Sequence, residues 1–219
     1  MKKQPPYLLP FTRSRIFGAF VDNQLLLDLI TYGQHRIIGE RVVKELNILK
    51  SLGQRVKVLQ IGFAPGSLSV KIAHILENSG ELAILDPLPF QLERAKKKLS
   101  NFGSVHYFEG IGEDVPFPDA SFDAIILFFL FHEIPSDVRA NIMKKALRLI
   151  HKGGAVIVCD FAKPTCMLGK VLVFFFSLFG EKYLPSFLKE GIPSNKGRIA
   201  AQESYLCNTF QFSIVKITS

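Results

Sequence analysis

The sequence predicts an α/β domain built on a mostly parallel sheet, with a helical extension at its amino end and an antiparallel hairpin at its carboxyl end. Three observations carry that expectation. Between residues 56 and 160, short apolar runs alternate with amphipathic stretches of helix formers, and such alternation builds a parallel sheet through right-handed crossovers. Residues 205–217 break the rhythm with two β-forming runs set close together, the pattern of a hairpin. Ahead of the first run, residues 22–50 group their apolar side chains at helical spacing.

Taken in order, the opening helical stretch carries Leu25, Leu26, Leu29, Ile30, Ile37, Ile38, Val42, Val43 and Leu46, with Gly33 and Gly39 as expected breaks. Strands are expected at residues 56–61, 82–86, 105–108, 123–129 and 155–160. Helices are expected at 68–76, 89–99 and 136–150, the last opening on Ser136 as a potential cap. The tail strands are expected at 205–210 and 212–217. The run 167–179, MLGKVLVFFFSLF, is interrupted only by Lys170 and is too short to span a bilayer. Two readings stay open for it: a buried core helix, or a face that enters lipid.

With 219 residues, 48% of them hydrophobic, the chain can build one substantial core. Residues 1–50 are therefore read as an extension of the same domain that residues 51–219 form. No apolar run reaches membrane-spanning length, and the basic start 1–15 is followed by no apolar signal core, so a cytoplasmic protein is expected. Cys159, Cys166 and Cys207 have neither disulfide-framework nor zinc spacing and are read as buried thiols.

The net charge of +8 raises the question of nucleic acid. The cations are dispersed: Lys96, Lys97 and Lys98 close one expected helix, and Lys144, Lys145, Arg148 and Lys152 another, where they complement the helix dipole. No aromatic and basic recognition motif accompanies them, which speaks against nucleic-acid binding. Contact with the inner face of an anionic membrane fits the charge at least as well.

The first strand runs straight into Gly62-Phe63-Ala64-Pro65-Gly66 and then a helix, the position where an α/β sheet places a cofactor loop. Asp86 ends the second strand, where a carboxylate accepts hydrogen bonds from a ribose diol or caps the next helix. His132 and Glu133 follow the fourth strand at the ligand-binding edge of the sheet. They suit metal ligation or proton transfer, or a plain hydrogen-bonding role. His35, on the opening helix, is a further catalytic candidate.

PFPDASFD (116–123) and LRLIHKGG (147–154), each before a strand, resemble the later motifs of class I S-adenosylmethionine (SAM) dependent methyltransferases. That resemblance implies a Rossmann-like fold with SAM on the glycine loop. Gly62, Ala64, Gly66, Asp86, Pro87 and Phe128 would lie on the cofactor side, and Ile111 and Gly112 where the adenine pocket is built. Many such enzymes carry a carboxylate at the position of Gln60 to hold the SAM ammonium. A neutral Gln60 either accepts from that ammonium or leaves it less stabilised in its charged form.

A narrower resemblance lies in LDPLPFQL (85–92), FFLFHEIPSDVR (128–139) and DLITYGQHR (28–36), which look like the rhodoquinone biosynthesis methyltransferase-like family. It implies a quinone substrate, with SAM supplying an amino group in place of a ring methoxy group, assisted by manganese. His35 stands where that family tends to carry tyrosine, and Ile111 near where it carries an acid. The alternatives are methyl transfer to a small lipophilic substrate and SAM binding without catalysis.

Overall fold

The computed structural model describes residues 22–51, 55–178, 181–193 and 197–217. Seven strands form one sheet: β1 (Val56–Ile61), β2 (Gly80–Asp86), β3 (Val105–Glu109), β4 (Phe122–Phe128), β5 (Ile150–Phe161), β6 (Gly197–Tyr205) and β7 (Phe210–Ile217). Their order is β3-β2-β1-β4-β5-β7-β6. The first five run parallel, and β7 lies antiparallel between β5 and β6. The order reverses between β1 and β4, and open α/β sheets bind ligands outside the carboxyl ends of strands at such a switch point.

The central strands are apolar on both faces, as a sheet covered by helices on both sides requires. Val58, Ile84, Ile126 and Ile157 pack under α1 (Gln24–Ile30), α2 (Gln34–Ser51), α3 (Leu68–Leu76) and α4 (Pro89–Lys98), chiefly through Ile38, Val42, Leu46, Ile72 and Leu92. Leu59, Leu85, Ile125 and Val156 face α5 (Ser136–Leu149), which contributes Val138, Ile142, Met143 and Ala146. Ile38, Val42 and Leu46 thus lie in the same core as the strands. The opening helix breaks at Tyr32 and Gly33, both at positive φ. Gly39 stays helical within α2 and faces Leu68 of α3.

Several expectations need correction. The first tail strand is β6, ending at Tyr205, and the expected stretch 205–210 is mostly the turn. Leu206, Cys207 and Asn208 all adopt left-handed backbone, and the Thr209 N–H closes the turn on the Tyr205 carbonyl. A local turn conformation overrode the β-forming composition. Pro135, not Ser136, is the cap of α5, and the Ser136 hydroxyl donates to Glu190 at 2.6 Å. Cys159 is buried, but Cys166 is only half-buried and Cys207 is exposed, because they sit at a helix start and in that turn.

Of the run 167–179, residue 179 lies outside the described residues, and the rest is a helix buried on one side only. α6 (Met167–Leu178) buries Gly169 and Leu172 and exposes Met167, Val171, Phe174, Phe175 and Leu178. Among the described residues, no helix is long and apolar enough to cross a membrane. A last short helix, α7 (Leu184–Glu190), packs beside the 3-10 turn Phe131–Glu133.

Candidate functional site

The glycine loop leaves β1 with Gly62 at φ 81° and Gly66 at φ 72°, a region that favours glycine. A Cβ on Gly66 would stand 2.5 Å from Gln24 Oε1 and 3.0 Å from His35 Cε1. Gln60 is fully buried beneath this loop. Its Nε2 donates to the Gly62 carbonyl at 2.8 Å and its Oε1 accepts from the Ser69 hydroxyl at 2.9 Å, so the amide braces the loop against α3. Ala64 turns its methyl into the core.

Asp86 ends β2 beside the loop. Its Oδ2 accepts from the Phe63 N–H and its Oδ1 from the Leu88 N–H, both at 2.8 Å. Burial pushes its pKa up to about 6, against the pull of those two donors. Pro87 follows, half-buried. The Gly110 N–H donates to the Asp86 carbonyl at 3.2 Å, and a Cβ on Gly112 would stand 2.9 Å from Ile61, so Ile111 and Gly112 lie at this same edge.

The amino-terminal helices cover the loop. Asp22 Oδ1 accepts from the Gly66 N–H at 3.1 Å and from Lys98 at 2.5 Å, while Arg94 pairs with Oδ2 at 3.0 Å. Lys98 also donates to the Gly66 carbonyl, so it works at the loop and not only on a solvated helix face. Gln24 Oε1 accepts from the Ser67 N–H at 2.9 Å. His35 is buried, stacked on Phe129 at 5.6 Å and edge-on to Phe128 at 5.1 Å. Burial lowers its pKa to about 4 despite Asp28 nearby. Its Nδ1 lies 3.5 Å from the Gln24 amide, and its Nε2 is buried without a partner.

Across Phe129 the edge becomes acidic. His132 Nδ1 lies 2.7 Å from Asp160 Oδ1, at the end of β5. Asp160 Oδ2 accepts from the Phe131 N–H at 2.8 Å. Burial disfavours the His132 imidazolium, yet Asp160 and the neighbouring glutamates outweigh it and push the pKa up to about 9. Glu181 Oε2 stands 3.7 Å from His132 Nε2 and has no hydrogen-bond partner. Burial and Glu181 push the Glu133 carboxyl up to about 8. Ligand atoms of His132, Glu133 and Glu181 all lie within 4.8 Å of one another.

Phe129, Phe161, Phe176 and Phe210 wall this cluster, with Phe161 at 4.8 Å from the His132 ring and 5.1 Å from Phe176. Arg139 is fully buried beside it. It donates to the Ile134 carbonyl at 2.9 Å, to Glu190 at 3.2 Å and to Ser186 at 2.5 Å, fixing α7 and so the segment that carries Glu181. A separate cleft of about 200 Å³, lined by Lys57, Glu81, His106 and Phe117, opens toward the amino ends of the strands.

Gly62, Gly66, Asp86, Pro87, Ile111 and Gly112 lie along one sheet edge with His35 beside them, whereas Gln60 and Ala64 turn into the interior beneath the loop. His132 and Glu133 form a second group with three residues that sequence reasoning passed over: Asp160, Glu181 and Arg139. Asp160 ends a strand already recognised, and that position was its one signal. SAM fits the first group. Asp86 keeps acceptor capacity for a ribose and the orphaned Nε2 of His35 suits a carboxylate, whereas the Gly66 side of the loop is taken up by Asp22, Gln24 and Lys98. A divalent cation fits the second, where a buried imidazole meets two carboxylates that keep some exposure, one oxygen of them unmatched.

The model of the "ubiE/COQ5 methyltransferase family" matches residues 15–192. The ubiquinone/menaquinone biosynthesis C-methyltransferase UbiE of Blochmanniella floridana is 24% identical over 97% of this chain and 77% of its own length. That of Francisella philomiragia is 30% identical over 67% of this chain and 58% of its own length. The crystal structure of a SAM dependent methyltransferase from Aquifex aeolicus superposes with a TM-score of 0.58 at 17% identity, over 82% of this chain and 89% of that one. The [4+2]-cyclase SpnF does so at 0.59 and 13%, over 82% and 81%. Both share the fold.

Proposed function

Because this chain belongs to the ubiE/COQ5 methyltransferase family, and is a SAM-dependent enzyme of the class I fold, we propose that it transfers a group from SAM to a quinone ring, the substrate class in its relatives' names. The observation that carries this reading is the acid cluster under a phenylalanine wall, one ring away from the glycine loop. Flat aromatic faces suit a flat ring, and buried carboxyls with raised pKa suit proton transfer near neutral pH.

The transferred group is the amino group of SAM, replacing a ring methoxy group and turning ubiquinone into rhodoquinone. Gln60 supports this, because it is neutral, buried and spent on the loop, so it adds no carboxylate to hold the SAM ammonium charged. An amine must lose a proton before it acts as a nucleophile. Manganese held by His132, Glu133 and Glu181 would offset their negative charge and polarise a quinone carbonyl. Methyl transfer is the second reading, favoured by the C-methyltransferase names of the relatives.

SAM labelled with heavy nitrogen on its amino group, incubated with the protein, manganese and ubiquinone, tests the choice by mass spectrometry. Heavy nitrogen in a ring that has lost a methoxy group is expected. The SAM methyl group on the ring would select the second reading, and SAM binding without any product would overturn both.

The exposed side of α6 suits an anionic lipid surface, where a quinone tail stays in the bilayer. Lys163, Lys170 and Lys182 are exposed around it, and residues 161–180 include no acid. Each apolar side chain that enters lipid contributes up to about 1.5 to 3 kcal/mol at full burial, and less at partial insertion.

A further inference from the structure

Cys166 and Cys207 come together at the surface, where α6 begins and the β6–β7 hairpin turns. Their backbones are clamped: the Cys207 carbonyl accepts from the Thr165 N–H at 2.8 Å and from the Thr165 hydroxyl at 2.9 Å. The Asn208 amide donates to the Lys163 carbonyl at 2.8 Å. The two thiols act on each other, and that interaction lowers the pKa of Cys166 and raises that of Cys207. Cys207 is exposed and Cys166 half-buried, so a small molecule in solution reaches the pair.

We propose that Cys166 and Cys207 form a reversible dithiol–disulfide site, oxidised by low-molecular-weight disulfides of the glutathione type. The environments of the sulfurs assign their roles. Cys166 precedes α6, and the neighbouring Cys207 thiol with the backbone of the first turn, Gly169 foremost, holds its pKa below the usual thiol value. The same contact pushes Cys207 up. A thiolate stabilised at a helix start is the attacking species in such exchange, and its neighbour resolves the intermediate.

Cys166 loses its proton to solvent and attacks one sulfur of the small disulfide, breaking the S–S bond and expelling one small thiolate. Cys207 then loses its proton and attacks the Cys166 sulfur, which expels the second. The protein dithiol gives up two electrons, and the small disulfide becomes two thiols. The new bond would tie the start of α6 to the hairpin. Because Phe176 of α6 packs on Phe161 at 5.1 Å, that tie bears on the wall of the acid cluster.

Incubating the folded full chain with glutathione disulfide at neutral pH, followed by alkylation and peptide mapping, tests the site. The expected product is a Cys166–Cys207 linked peptide, two hydrogens lighter, reversed by dithiothreitol. Cys207→Ser should stop at a glutathione adduct on Cys166. Cys166→Ser keeps a side chain favoured at a helix cap and should leave Cys207 reacting more than about tenfold slower than Cys166 does in Cys207→Ser. Two results would overturn the proposal: both sulfurs alkylated as in the untreated protein, or stable separate adducts with no link between them.

Discussion

The glycine loop and the acid cluster share one sheet edge but are assembled differently. Gly62 and Gly66 lie in the loop after β1 and Asp86 ends β2; backbone N–H groups answer both Asp86 oxygens, and the side chains of Gln60, Asp22 and Lys98 answer the loop. His132, Glu133, Asp160 and Glu181 come from the end of β4, the end of β5 and the segment before α7, and they answer one another through side chains. Removing one side chain from the loop costs the hydrogen bonds it makes there. A buried group of charges loses more, because each partner removed leaves another charge unpaired.

That difference orders the expected effects. Asp160→Ala should be the most damaging change, since it strands the His132 imidazolium and frees the Phe131 N–H. A loss of about 3 to 5 kcal/mol in stability is expected from denaturant unfolding, and a loss below about 1 kcal/mol would show that the pair is not what holds this region.

Asp86→Ala should cost stability by freeing the buried Phe63 and Leu88 N–H groups, and should cost SAM affinity by about 1.5 to 3 kcal/mol, the scale of hydrogen bonds to a charged group. Calorimetry giving equal affinity for both proteins would remove Asp86 from the cofactor half.

His35 sharpens the comparison through pH. Its folded pKa, about 4, lies below the unfolded value of 6.5, so below pH 6.5 the unfolded chain takes up a proton that the folded one refuses. Its contribution is constant above that value and falls as pH drops from 6.5 toward 4, reaching about 2 kcal/mol of lost stability near pH 5. Comparing unfolding of wild type and His35→Phe at pH 5 and 7 should show the mutant with the flatter profile. Parallel profiles would contradict the buried neutral imidazole.

The smallest effect on the site itself is expected at α6. Replacing Phe174 and Phe175 by aspartate should keep the protein out of anionic liposomes in flotation while SAM affinity is unchanged. Wild type that stays wholly unbound would leave the exposed face of α6 without a lipid role.

The same contrast governs what could be read from sequence. α3 is legible to the residue, and the loop and Asp86 follow from periodicity and glycine placement, whereas the strand order comes from the structure. β6 was misplaced because three residues without a strong turn signature, Leu206 to Asn208, adopt left-handed backbone. Glu181 and Arg139 were passed over for a related reason. A lone acid outside any motif and an arginine on a helix both read as surface charge, and only tertiary packing buries them.

The central claim is that two separable halves meet at one edge, one for SAM and one for a divalent cation. Titrating SAM and manganese separately into wild type, Asp86→Ala and Glu181→Gln tests it most directly. Asp86→Ala should lose SAM affinity and keep manganese affinity, and Glu181→Gln should keep SAM affinity while losing more than about tenfold in manganese affinity. Wild type that binds no manganese, or a Glu181→Gln protein that binds it as tightly as wild type, would contradict the account.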